Sequence, residues 1–173
     1  MNNLIPDIYQ SSIYTINYDK LKEHGIKCLL FDLDNTISLN KVDTPSKELI
    51  RLFTRLEDSG FKVIIMSNSN KKRLSKFKDV LNVDTAYSSK KPLSFKYKKI
   101  LKMYKFHMSE VAAIGDQLFT DILGANRVGI TSILVEKLGE DTFFGTKINR
   151  CMEKMVFKNL KKRGIYEKER YYD

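Results

Sequence analysis

Apolar residues along this chain fall into short continuous runs separated by longer segments with a different pattern. The runs have the length of strands and occupy residues 27–34, 61–68, 84–89, 111–116 and 131–136, the third being the weakest. Runs that are apolar at nearly every position are typical of strands covered on both faces, as in a parallel sheet. The pattern therefore predicts about five buried, parallel strands.

The segments between the runs repeat their apolar residues at intervals of three and four, which is the spacing of an amphipathic helix. The first helix is predicted to open with Thr44 as its N-cap and Pro45 in its first turn, and to stop near Gly60. Further helices are predicted within residues 71–81, 94–106 and 117–129. Strands that alternate with helices predict an α/β fold, here a three-layer Rossmann-like core with a central parallel sheet.

Composition and length limit the class of protein. With 173 residues, 42% of them apolar, the chain can form one sizeable core, so we expect a single domain over residues 1–173. The longest apolar runs are far too short to span a bilayer, and the N-terminus lacks the basic start and apolar stretch of an export signal. Cys28 and Cys151 form neither a metal-ligand spacing nor a disulfide framework. These features predict a reduced, cytoplasmic protein.

The positive charge of the chain is concentrated in one segment. The formal net charge is +10, and between Lys71 and Lys105 twelve Lys or Arg residues face only two acids, Asp79 and Asp84. This basic block has two readings: a solvated surface, or a field that gathers an anionic partner such as nucleic acid, a lipid headgroup layer or an acidic protein.

Polar residues capable of chemistry follow the predicted strands at their carboxyl ends. They are Asp32 and Asp34 after the first strand, Ser67 and Asn68 after the second, Lys90 and Lys91 after the third, and Asp116, followed by Asp121, after the fourth. In a parallel α/β sheet, ligands bind at this edge, so these side chains are predicted to converge. Asp32 and Asp34 would repel each other there, which indicates a cation or a reaction at the same place.

Four short motifs resemble those of the haloacid dehalogenase superfamily. They are "FDLDNT", "IIMSN", "KKP" and "GDQLFTD", in the family order and spread over roughly residues 27–136. The resemblance implies a Mg²⁺-dependent phosphatase in which Asp32 is the nucleophile and Asp34 the general acid and base. It also implies that Mg²⁺ is held by the side chains of Asp32 and Asp116 and by the backbone carbonyl of Asp34.

The resemblance gives the remaining motif residues supporting roles. Ser67, with backbone amides near Asn68 and Asp34, would bind the transferring phosphoryl group, and Lys91, directly before a proline, would hold both a phosphoryl oxygen and the nucleophile. Asp121 would lie behind these groups and orient a metal-bound water or Lys91. The segments between the motifs leave no room for a lid, so a capless, open site is expected.

The N-terminal flank narrows the resemblance to the YqeG-type branch of subclass III. This branch is similar to mitochondrial and plastid phosphatidylglycerophosphate phosphatases, and the likeness extends to about residue 163. It implies removal of the terminal phosphate of phosphatidylglycerophosphate in phosphatidylglycerol synthesis. The segment "ISLNKVD" lacks the bulky loop associated with the branch, so substrate contacts there are open.

The expected partner is a phosphorylated substrate, which the resemblance implies is a lipid headgroup. Peripheral contact with the inner membrane face is expected through the basic block and through a C-terminal amphipathic helix at about residues 146–163. The apolar stripe of that helix consists of Ile148, Met152, Met155, Val156 and Leu160. Packing of this stripe on the sheet is favoured over insertion into a membrane. The alternatives are a phosphatase for nucleic acid ends, phosphoproteins or small phosphomonoesters, and a non-catalytic module that binds ribosomes or nucleic acid.

Overall fold

The computed structural model describes residues 2–141, 144–165 and 169–173. Its strands are β1 (Ile8–Gln10), β2 (Cys28–Phe31), β3 (Lys62–Met66), β4 (Asp84–Ala86), β5 (Val111–Gly115) and β6 (Thr131–Val135). They form one sheet in the order β1-β6-β5-β2-β3-β4, and every neighbouring pair is parallel. The predicted α/β fold with a parallel sheet is therefore confirmed.

Helices cover both faces of this sheet. They are α1 (Tyr18–Glu23), α2 (Lys47–Asp58), α3 (Lys71–Leu81), α4 (Phe95–Tyr104), α5 (Leu123–Val128) and α6 (Phe144–Lys162), with a π-helical turn at Leu118–Ile122 before α5. Alternate residues of β2 point to opposite faces. Leu29 and Phe31 pack with α2 and α3, whereas Cys28 and Leu30 pack with α4 and α5. The result is a three-layer arrangement with the sheet at its centre.

The sheet has one strand more than the sequence predicted. β1 is three residues long and pairs with the outer edge of β6, from Ile8 opposite Ile133 to Gln10 opposite Val135. On its other side, Tyr9 exchanges two backbone hydrogen bonds of 2.9 Å with Tyr172. A segment this short carries no periodicity of its own, and its strand conformation comes from these distant partners.

The start of α2 differs from the prediction at Thr44. The N-cap is Ser46, whose hydroxyl accepts a hydrogen bond of 3.1 Å from the backbone amide of Leu49. Pro45 therefore precedes the cap instead of occupying the first turn. The prediction was wrong by two residues because Thr and Ser are both good N-caps, and only the path of the incoming chain selects one of them.

The stripe predicted on the C-terminal helix divides into two parts. Leu160 is buried and Val156 partly buried, in a cluster with residues of β1, β6 and the π-helical turn. In contrast, Ile148, Met152 and Met155 are 47%, 39% and 71% exposed. The core packing predicted for the whole stripe is wrong for these three residues, since α6 presents a different face to the sheet. Among the described residues, no helix has the length and apolar content that crossing a bilayer requires.

The basic block does not form one surface beside the carboxyl ends of the strands. In a parallel sheet, each connecting helix begins near the carboxyl edge and runs back to the opposite edge. Lys71 and Lys72 at the start of α3 therefore lie near the carboxyl edge, while Lys102 and Lys105 at the end of α4 lie near the other one. Topology thus disperses charges that are continuous in sequence.

Removal of a core side chain of α3 should destabilise the fold. Phe77 is completely buried in the larger apolar cluster, whereas Val80 on the same helix is 51% exposed. We expect Phe77→Ala to lower the free energy of unfolding by about 3–5 kcal/mol because it leaves a cavity, and Val80→Ala to change it by less than about 0.5 kcal/mol. Urea unfolding followed by circular dichroism measures both, and equal effects would contradict the packing described.

Candidate active site

The strand order reverses between β2 and β5, which are neighbours in the sheet although they are distant in sequence. From β2 the chain continues outward to β3 and β4, and from β5 it continues to β6 on the other side. The crevice at the carboxyl ends of two such strands is the usual ligand site of open α/β sheets. Asp32 immediately follows β2, and its backbone amide still bonds to the carbonyl of Ile114 at 2.9 Å, which fixes it at this edge.

A buried lysine joins two carboxylates in the crevice. The Nζ atom of Lys91 lies 2.5 Å from Oδ1 of Asp32 and 2.5 Å from Oδ1 of Asp121. All three side chains are almost fully buried. Removal of any one of the three side chains would leave an uncompensated buried charge and would therefore be strongly destabilising.

Gly115, the last residue of β5, makes room for Asp121. A Cβ atom at position 115 would lie 2.2 Å from Cγ of Asp121, which is far inside van der Waals contact. The π-helical turn carries Asp121 back over the end of β5, and its carboxylate also accepts a hydrogen bond of 3.2 Å from the backbone amide of Gln117. The glycine is therefore part of the site.

Three carboxylates converge beside the lysine. Asp32, Asp116 and Asp121 each offer one oxygen, and these oxygens lie within 4.8 Å of one another. The hydroxyl of Thr36 lies 3.2 Å from both Oδ2 of Asp32 and Oδ1 of Asp116, so it connects the ends of β2 and β5. Hard carboxylate oxygens in this arrangement could hold a divalent cation such as Mg²⁺.

Burial dominates the electrostatics of these acids. It raises the pKa of Asp32 to about 7, although Lys91 acts in the opposite direction. It likewise raises the pKa of Asp116 to about 8, against the lowering effect of Arg150. For Lys91, burial alone would lower the pKa, but the carboxylates of Asp121 and Asp32 outweigh it and the net shift is upward. A metal-free site thus binds protons readily and keeps its lysine charged.

Asp34 points away from the three clustered carboxylates. Its Oδ1 atom accepts a bond of 2.8 Å from Nε of Arg73, and its Oδ2 atom accepts one of 2.5 Å from the hydroxyl of Ser69. Arg73 also donates to the carbonyls of Leu39 and Val42, in the loop before α2. The Asp34 side chain is 23% exposed, so it lies on the solvent side of the site.

The structure also places Ser67 and Asn68 at this edge, and their side chains already have protein partners. Oδ1 of Asn68 accepts from the backbone amide of Lys91 at 2.7 Å, and its Nδ2 donates to the carbonyl of the same residue at 3.2 Å. The hydroxyl of Ser67, which is buried, accepts from the amide of Ser69 at 3.0 Å. The carboxamide of Asn68 therefore holds the lysine loop in place.

Sequence reasoning missed two arginines. Arg73 is one of the twelve basic residues of the basic block, and no sequence feature distinguished it from the others. Arg150 lies in α6, outside the four motifs. The side chain of Arg150 contacts Asp116, Asp141 and Glu153. One sequence feature could have indicated a role for Arg150. Glu153 follows it by three residues, on the helix face that also carries Leu160.

A cavity of about 550 Å³ opens over the site. Asp32, Asp34, Ser67 and Lys91 line its inner part, and Thr146 and Asn149 at the start of α6 line another wall. Between the first two motifs the structure has α2 and β3, and between the next two it has α3 and β4. No additional helical or sheet lid occurs in these described segments.

The sequence is similar to known phosphatases over most of its length. Residues 1–138 match the family model described as mitochondrial PGP phosphatase. The protein named "Probable phosphatase YqeG" of Bacillus subtilis (strain 168) is 33% identical over 160 residues, which cover 92% of this chain and 93% of that protein.

Two solved structures share the fold at low sequence identity. The D,D-heptose 1.7-bisphosphate phosphatase of B. bronchiseptica, complexed with magnesium and phosphate, has a TM-score of 0.54 and 19% identity, over 63% of this chain and 80% of that one. The 3-deoxy-D-manno-octulosonate 8-phosphate phosphatase of Yersinia pestis has a TM-score of 0.55 and 20% identity, over 69% and 70%.

The family match, the relative and the fold agree with the arrangement at the crevice. The chain belongs to the PGP phosphatase family, within the haloacid dehalogenase superfamily of phosphoric monoester hydrolases.

Proposed function

We propose that this protein hydrolyses a phosphomonoester with Asp32 as the nucleophile, and that its substrate is phosphatidylglycerophosphate. The observation that carries the reaction is the buried contact of Lys91 with Asp32, beside two further carboxylates at the edge of the sheet. Lys91 binds Oδ1 of Asp32, and Oδ2, which contacts the hydroxyl of Thr36, is the oxygen proposed to attack phosphorus. The same ammonium group offers positive charge to the phosphoryl oxygens.

The reaction proceeds in two displacements. In the first, a carboxylate oxygen of Asp32 bonds to phosphorus while the bond to the leaving oxygen breaks, and Asp34 gives that oxygen a proton. In the second, Asp34 takes a proton from water, the water oxygen bonds to phosphorus, and the bond to Asp32 breaks to release inorganic phosphate. The partial exposure of Asp34 suits this role because it must exchange protons with both the leaving group and water.

Mg²⁺ fits the donor set, since oxygens of Asp32, Asp116 and Asp121 lie close enough for one hard cation. The heptose bisphosphate phosphatase that shares the fold was solved with magnesium and phosphate. When bound, the ion would supply charge that lets an anionic substrate approach this acidic site. Ser67 and the backbone amides near Asn68 and Asp34 are the proposed phosphoryl ligands, next to Lys91.

The lipid substrate is supported by the family match and by the surface of α6. Ile148, Met152 and Met155 form an exposed apolar stripe at helical spacing. The same helix carries the exposed basic residues Lys147, Lys154 and Lys158. Its acidic residue, Glu153, is buried. A helix with this combination binds an anionic lipid surface, where each nearby basic residue contributes about 1 kcal/mol. The start of α6 also lines the cavity, so docking would bring the site to the headgroups.

Replacement of the nucleophile should abolish turnover without loss of the fold. We expect Asp32→Asn to reduce phosphate release from phosphatidylglycerophosphate micelles by at least about 10³-fold, because an amide is a poor nucleophile. A phosphorylated oligonucleotide and a set of small phosphomonoesters serve as competing substrates, and Asp79→Asn, at an exposed position of α3, serves as the matched control.

Substantial residual activity of pure Asp32→Asn protein would remove Asp32 from its role. Activity of the wild-type protein on the oligonucleotide alone would favour a nucleic acid phosphatase, and activity on the small esters alone would exclude the lipid reading.

Binding of Mg²⁺ should strengthen as pH rises. Because burial raises the pKa of Asp32 to about 7 and that of Asp116 to about 8, protons compete with the metal below these values. We expect the dissociation constant for Mg²⁺ to fall between about pH 6 and about pH 8, with release of protons. Calorimetric titrations in two buffers with different ionisation enthalpies measure both effects, and a pH-independent affinity would contradict the prediction.

A charge in the exposed stripe of α6 should weaken lipid binding. We expect Met155→Glu to reduce association with phosphatidylglycerol vesicles about tenfold, which corresponds to about 1.4 kcal/mol of lost apolar burial and added repulsion. Met103→Glu is the control, because Met103 is 60% exposed on α4. Cosedimentation measures both variants, and equal binding by both would exclude α6 as the docking surface.

A further inference from the structure

Arg150 of α6 forms hydrogen bonds with two different atoms of Asp116. Its Nη1 atom donates to the backbone carbonyl of Asp116 at 2.6 Å, and its Nη2 atom is bonded to Oδ2 of the same residue. A planar guanidinium holds its donors at fixed angles to one another. Two such contacts therefore fix the side-chain torsion of Asp116 and the orientation of the peptide that follows it.

The remaining donors of Arg150 have partners that are themselves anchored. Nη1 also lies 2.8 Å from Glu153, and Nε lies 3.3 Å from Asp141. Glu153 in turn accepts a hydrogen bond of 2.6 Å from the backbone amide of Leu118. Two residues one turn apart on α6 thus hold both ends of the segment from Asp116 to Leu118, and α6 is tied to the end of β5.

The same network reaches the loop after β2. The carboxylate of Asp141 accepts a bond of 3.2 Å from the side chain of Asn35, which directly follows Asp34. Arg150 consequently lies between the two loops that carry the acidic residues of the crevice. Its side chain is 16% exposed, and the side chain of Asp116 is fully buried.

The two oxygens of Asp116 have separate partners. Arg150 binds Oδ2, whereas Oδ1 faces the hydroxyl of Thr36, which also contacts Asp32. The guanidinium therefore does not contact Oδ1, the oxygen on the side of Asp32, whose partner is the hydroxyl of Thr36. It also supplies to Asp116 the positive charge that Lys91 supplies to Asp32 and Asp121.

We infer that Arg150 is a positioning residue of the metal centre, and that α6 is thereby part of the active site. The inference rests on the metal binding proposed above. By fixing Oδ2 and the carbonyl of Asp116, Arg150 presents Oδ1 to the cation in a constant orientation. Partners that orient a metal ligand in this way change metal affinity by about 10- to 100-fold when they are removed.

The test is metal binding to the purified full chain, measured without substrate. Arg150→Met removes both contacts, Arg150→Lys keeps the charge but cannot reach the carboxylate and the carbonyl together, and Lys162→Met is the matched control on an exposed position of α6. Mg²⁺ is titrated by calorimetry and Mn²⁺ by electron paramagnetic resonance, and thermal unfolding of each metal-free variant reports the fold.

We expect the affinity of Arg150→Met for both metals to fall at least about tenfold, that of Arg150→Lys to fall by a smaller factor, and that of Lys162→Met to stay unchanged. If Arg150→Met does not fold, the result for Arg150→Lys decides, because a lysine keeps the charge of the cluster. Unchanged affinity would overturn the inference. Tighter binding would also overturn it, since Arg150 would then compete with the metal.

These results are separable from the proposed reaction. If the wild-type protein binds Mg²⁺ and releases no phosphate from any substrate, the phosphatase proposal fails while the role of Arg150 is still measured. If activity is present and the Arg150 variants bind metal like the wild type, only the role of Arg150 fails.

Discussion

Three buried carboxylates at the end of two adjacent strands dominate the structure around the crevice. Such groups repel each other, and each loses hydration on burial, so they persist only with cations beside them. Lys91 lies between Asp32 and Asp121, and Arg150 lies against Asp116. The two cations offset part of the negative charge of these carboxylates, and a bound divalent ion would offset more of it.

Each member of this cluster comes from a different part of the fold. The crossing point between β2 and β5 brings Asp32 and Asp116 together, the π-helical turn returns Asp121 over Gly115, and the loop after β4 delivers Lys91. The carboxamide of Asn68 fixes that loop by bonding to the backbone of the lysine. Backbone groups and small residues thus set positions that the charges alone would not adopt.

The C-terminal helix connects the site with the surface. One side of α6 holds Asp116 through Arg150 and packs Leu160 into the core, and the other side exposes Ile148, Met152 and Met155. In the proposed function, this helix, which contacts Asp116 and carries the exposed stripe, would bring the site to the lipid surface.

The sequence by itself determined the α/β class, the five strand runs that form β2 to β6, and the convergence of Asp32, Lys91, Asp116 and Asp121 at one edge. These features are local: burial on both faces leaves continuous apolar runs, and strand ends place the residues that follow them. Only the tertiary structure decided the pairing of β1, the exposed stripe of α6, the turn of Asp34 toward Arg73, and the contact of Arg150 with Asp116. Arg150 and Asp116 are 34 residues apart. No local pattern encodes such a contact, because it arises from the way one helix packs against the sheet.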